Sequence, residues 1–147
     1  IKSGGNPEVY KKERIVVRQI GNYPSGAIIK ENIYTLNTIY NIFFNDNRLS
    51  LRYILSIINS TLIKFYWGIL FYDNKATFPK IKKDGIEAIP IKVITEAQQK
   101  PFITLVEQIM QLKQQGQPTT TLETQIDNMV YALYGLTDQE IAIIEGK

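Results

Sequence analysis

A chain of 147 residues with no cysteine and no histidine holds no disulfide, lacks the usual zinc ligands, and cannot carry a triad or a general base built on imidazole. At 44% hydrophobic residues it is long enough for one ordinary domain with a real core. The net charge of +3 hides an asymmetry: residues 1–92 carry fourteen Lys and Arg against seven Asp and Glu, and residues 93–147 carry three against seven. A basic part at +7 followed by an acidic part at −4 suggests that the first part meets a polyanion, nucleic acid being the commonest. The plain alternative is that the lysines solvate a surface. The expected organisation is a basic α+β domain over 1–92 with an acidic helical segment over 93–147 packing on it. The chain begins at Ile1 and shows no signal peptide, so the expectation is a cytoplasmic piece of a longer polypeptide.

In chain order, residues 1–12 combine Gly4-Gly5 and Pro7 with a basic end, a linker or loop. Residues 13–20 (ERIVVRQI) are rich in β-branched side chains and read as a strand, with Arg14 and Arg18 among its charges. Residues 21–26 have loop chemistry, and 27–30 form a short second strand. Over 33–44, Tyr34, Leu36, Tyr40, Ile42 and Phe44 alternate with Thr35, Asn37 and Asn41, as a half-buried strand or hairpin requires.

Residues 49–72 are the longest apolar run, twenty-four residues, and a membrane span needs roughly 20. Arg52, Asn59, Ser60 and Lys64 inside it are costly in lipid, so no membrane is expected. Ser50 instead caps a first helix over 51–58 and Ser60 a second over 61–71. Ile54, Leu55, Ile58, Leu62, Ile63, Tyr66, Ile69 and Leu70 define one buried face. Residues 73–85 are polar, basic and irregular, and 86–91 (IEAIPI) predict a short strand, with Pro90 at an edge or end.

The remainder is helical. Phe102, Leu105, Val106, Ile109 and Leu112 mark a helix that stops at Gly116; Thr95 with Gln98 looks like its capping box, although Pro101 then falls inside. Thr120 with Glu123 opens a helix with the face Leu122, Ile126, Met129, Val130 and Leu133, stopped by Gly135. Thr137 with Glu140 caps a last helix through Ile144. The fold expected is α+β: a small mixed or antiparallel sheet packed with a central helical pair, then a C-terminal helical segment.

No catalytic constellation emerges. Gly4-Gly5 follows no strand, so no phosphate loop is present. Asn6-Pro7-Glu8-Val9 lacks the second proline and the aromatic residue of the amino-methyltransferase motif. Glu145-Gly146-Lys147 has a nuclease-like spacing without an acidic partner on a preceding strand. No catalytic and no metal residue is expected, and the chain by itself is not expected to be an enzyme. What remains is a binding surface: Arg18, Asn22, Tyr23 and Lys30 around the first strands, joined by Arg14, and Lys75, Thr77, Lys80, Lys82 and Lys83 in the loop after the helical pair. Lysines contact phosphates as point charges, and Arg and Asn can pair bidentately with base edges. A rival expectation is a protein-interaction module built from the helical faces Phe102 to Leu112 and Leu122 to Leu133.

In order, the segments ERIVVRQI, NTIYNIF, LRYILSIINSTLIKFYWGILF, ATFPKIKKDGIEAIPIK, EAQQKPFITLVEQIMQL and LETQIDNMVYALYGLTDQEIAIIE closely resemble the C-terminal target-recognition domain of adenine-specific DNA methyltransferases and of the fused type IIG restriction-modification enzymes. The resemblance covers residues 11–145. Type I specificity subunits are similar across the middle, while the Leu133-Tyr134-Gly135-Leu136-Thr137 ending favours the fused type. The resemblance implies a domain that grips double-stranded DNA opposite an upstream methyltransferase domain. That domain carries S-adenosylmethionine and the catalytic motif, so no cofactor is expected in this chain.

Overall fold

The computed structural model describes residues 11–31, 33, 35, 38–43, 47–71 and 80–147. The expectations that rest on residues 1–10, on Tyr34, Leu36, Asn37 and Phe44, and on 72–79 lie outside the described residues.

Three short strands, β1 (Arg14–Arg18), β2 (Gly26–Ile29) and β3 (Ile39–Ile42), form an antiparallel sheet in the order β2-β1-β3. Ile15 lies opposite Ile28 and Ile42, and Val17 opposite Gly26 and Tyr40, so these side chains share one face. Ile15 and Val17 are buried there. The helix α1 (Leu51–Ile58) packs on this face close to Gly26, where an added Cβ would lie 3.0 Å from Leu55 Cδ1.

The expected interruption of the long apolar run is present. Ser50 caps α1 by accepting from Arg52 N, and Asn59 ends it. Ser60 Oγ accepts from Ile63 N at 3.3 Å at the start of α2 (Thr61–Phe71). The two helices meet at a 57° bend, and among the described residues no single helix is long and apolar enough to cross a membrane. The bend shifts the phase of the buried face. In α2 it runs through Ile63 and Trp67, leaving the expected core positions Ile69 and Leu70 exposed at 65% and 54%.

The predicted strand over 86–91 is not formed. Residues Lys83–Glu87 are a short helix, α3, because Gly85 must press against the buried Trp67 indole; a Cβ there would lie 2.6 Å from its ring. Ile86 packs on the core and Ile89 is buried, a three-residue step that suits a helical turn and not a strand. The extended stretch that follows is held by phenols: Tyr134 Oη donates to Pro90 O and accepts from Lys92 N at 3.2 Å, and Tyr53 Oη donates to Lys92 O at 2.6 Å.

The helix α4 (Glu96–Gln114) starts on the Thr95–Gln98 capping box, with Pro101 inside. Pro101 removes one helical donor, while the box satisfies donors at the helix start. Buried Gln99 ties α4 to the start of α1, accepting from Ser50 N and donating to Arg48 O and Ile94 O. In α5 (Thr120–Leu133) the cap is Thr119 and no side chain caps it. The expected Thr120–Glu123 box fails because the helix starts one residue earlier, and Glu123 turns instead to Lys113 at 3.9 Å. The last helix, α6 (Asp138–Ile144), has the full Thr137–Glu140 box. Gly116, Gly135 and Gly146 follow α4, α5 and α6 with φ of 69°, 67° and 75°, as helix stops require.

One core runs through all of this: Ile15 and Val17 of the sheet, Ile54 and Ile58 of α1, Trp67 of α2, Phe102 and Val106 of α4, Ile126 and Val130 of α5. The fold is α+β.

Candidate nucleic-acid interface

Where β1 ends, three segments converge. Gln19 donates its N–H to Thr38 O, and its carbonyl accepts from Ile81 N at 2.7 Å. Ile20 forms an antiparallel bridge with Lys80. This junction brings the Lys80, Lys82 and Lys83 segment beside Arg18 and the loop of Asn22 and Tyr23, although some sixty residues separate them in sequence. Arg18, Asn22, Tyr23, Lys80, Lys82 and Lys83 are all exposed, and Pro24 is buried beneath the loop. Lys83 reaches Glu87 at 3.7 Å, with both side chains largely exposed, a pairing of small energetic weight.

The structure does not bring every expected residue here. Ile29 lies opposite Arg14, so Lys30 follows at the other end of the sheet. Lys75 and Thr77 lie outside the described residues. Arg14 belongs to the interior: it is fully buried, its Nε donates to Asn41 Oδ1 at 2.7 Å, and its other nitrogens donate to Lys12 O and Ile33 O. A guanidinium with those acceptors is a structural pin.

Sequence reasoning missed Lys64 as a member of this region. Its ammonium lies 5.0 Å over the Tyr23 ring centroid, a cation–π contact that fixes the loop to α2. One signal was available: α2 contains no acidic residue, so its lysine has no charge partner on its own helix.

Polar groups elsewhere serve the fold. The Asn59 side-chain amide spans Gly26, accepting from its N–H at 2.7 Å and donating to its carbonyl at 2.9 Å. Asp127 accepts from Thr61 N and Oγ1 at 2.8 and 2.6 Å. Both carboxylates on the cleft of about 480 Å³ between α1, α2, α4 and α5 are therefore engaged, Asp127 with Thr61 and Glu123 with Lys113. Burial pushes the Tyr53 phenol up to about 12, and burial, followed by Asp127, raises Tyr131. Arg52 is held above its ordinary value by its hydrogen bond to Glu13. The apolar faces of α4 and α5 proposed for a partner protein pack into the chain's own core. Among the described residues no group of three acidic, His or Cys side chains is placed to hold a metal.

The fold is α+β, and the end of its sheet where β1 stops is basic and carries the exposed Tyr23. Residues 1–91 match the family of TaqI-like C-terminal specificity domains, and the chain belongs to that family, the specificity domains of restriction-modification enzymes. The match takes in the sheet and α1 to α3; α4 to α6 lie beyond it. No curated protein matches the chain.

Proposed function

We propose that the chain reads a specific sequence in double-stranded DNA, as the target-recognition domain of a restriction-modification enzyme whose methyltransferase acts on adenine. The observation that carries this reading is the Ile20–Lys80 junction, which joins two basic segments into one exposed end of a specificity-family domain. In this reading Lys80, Lys82 and Lys83, with Lys75 and Thr77 of the same segment, contact phosphates. Arg18 and Asn22 address base edges, and Tyr23 offers a flat apolar face. Lys30, at the other end of the sheet, contributes only to the general field. Methyl transfer from S-adenosylmethionine, and cleavage where the parent enzyme cuts, fall to other domains of the same polypeptide; no residue here is assigned to the cofactor.

Duplex binding measured against salt tests the reading. Each phosphate contact contributes about −0.9 to the log–log slope. Reversing Lys80, Lys82 and Lys83 to Glu should lower affinity on the order of 100-fold while the unfolding transition stays in place. Selection from a random-sequence duplex pool should return a consensus. A flat salt dependence, or a pool that returns no consensus, would rule the reading out.

A further inference from the structure

Two features of α2 lie outside the core packing described so far. Lys64 projects from its exposed side, with the Tyr23 ring as the contact of its ammonium and no carboxylate in ion-pair range among the described residues. One turn further on stands Gly68, in the interior of an eleven-residue helix. A helix-interior glycine is destabilising relative to alanine, so such a position ordinarily has a packing reason. Gly85 has one, since its Cβ would strike Trp67, but at Gly68 an added Cβ would meet, apart from its chain neighbours and its own helix backbone, no atom of the described residues within 4 Å. Nothing within the described chain requires a glycine there.

Positions 64 and 68 share one helix face. That face offers a cation and, beside it, a bare stretch of backbone, next to the Tyr23 loop. This combination suits close approach of a polyanion strand. An ammonium has three donors, so Lys64 can stay over the Tyr23 ring and still take a phosphate oxygen.

We propose that the Lys64–Gly68 face of α2 is a phosphate-contacting element of the DNA interface, with Lys64 as the contact and Gly68 as the space that lets the strand reach it. This rests on the DNA reading above and extends it to a helix outside the two basic segments.

The test uses the full 147-residue chain and a mixed-sequence duplex, since phosphate contacts do not depend on sequence. Lys80→Gln serves as a reference, and thermal unfolding is recorded for every variant. Lys64→Gln should weaken binding roughly 5- to 10-fold at 0.1 M salt and reduce the slope by about 0.9, with Lys64→Arg restoring both. Gly68→Gln should raise Tm through helix propensity and yet weaken binding on the order of tenfold, opposite movements that a purely structural glycine cannot give. If wild type binds with a salt-dependent slope and Lys80→Gln weakens it, while Lys64→Gln and Gly68→Gln bind as wild type, this proposal is overturned and the DNA reading stands. If wild type shows no salt-dependent duplex binding, both fall.

Discussion

Arg14 and Arg18 stand four residues apart on β1 and project to the same side of the sheet, yet one is fully buried and the other exposed. Arg14 finds Asn41, Lys12 O and Ile33 O around its guanidinium. Arg18, opposite Ile39, stands beside the junction that carries Lys80. The lesson is that charge in a strand does not mark a binding residue; what decides is whether the fold supplies partners. The same division separates Asn59, Gln99 and Asp127, whose polar atoms are taken up by backbone or side chains, from Asn22, Lys80 and Lys82, which are left to solvent.

Substituting the two arginines gives the largest contrast. Arg14→Ala removes a fully buried side chain together with its hydrogen bonds to Asn41 Oδ1 and to the carbonyls of Lys12 and Ile33 and should cost about 3 kcal/mol. Arg18→Ala should stay within about 0.5 kcal/mol of wild type while duplex affinity falls. Urea denaturation and duplex binding, run on both variants, would erase the distinction if Arg18→Ala proved as unstable as Arg14→Ala.

Tyr53 extends the contrast to pH. Its phenol is buried and donates to Lys92 O, and its pKa is raised to about 12. In the unfolded chain it ionises near the ordinary value of about 10, so its contribution to stability is intact below that pH. The contribution is lost as pH rises from 10 towards 12, by about 2–3 kcal/mol in all. Tyr53→Phe should therefore be less stable than wild type by about 1 kcal/mol at neutral pH and more stable than wild type near the top of that window. Denaturant midpoints across the range check the crossing.

What the sequence made legible follows from how local each determinant is. The division of the apolar run at Asn59-Ser60, the Thr95 and Thr137 capping boxes, and the glycine stops were readable because each is set within a few residues. The 86–91 segment was misread because a short, largely apolar run of six residues does not separate strand from helical turn, and the deciding contact, Gly85 on Trp67, spans eighteen residues. The burial of Arg14 depends on Asn41 and Ile33, and Lys64 joins the candidate interface through Tyr23, so neither could be read from its own neighbourhood. Lys30 was misgrouped despite an available signal. Two strands joined by a short loop run antiparallel, which carries the end of the second strand back to the start of the first, away from Arg18.

Gly85 poses the smallest and most discriminating case, because it lies two residues after Lys83 of the candidate interface and yet serves the fold. Trp67 is almost fully buried, and a Cβ at 2.6 Å from its ring forces the indole or α3 to shift. Overpacking of this kind costs about 1–3 kcal/mol, against a gain of about 0.5–1 kcal/mol from replacing a helical glycine. Gly85→Ala should thus lose up to about 2.5 kcal/mol and, under conditions where it is folded, bind duplex DNA within about twofold of wild type, since no cation is removed. Gly68, immediately after Trp67 on α2, should respond in the reverse sense, with higher Tm and weaker binding. Two helical glycines beside one tryptophan then separate what the fold needs from what the ligand needs. If both substitutions moved stability and affinity in the same direction, proximity to the interface, and not the availability of partners, would be the governing variable.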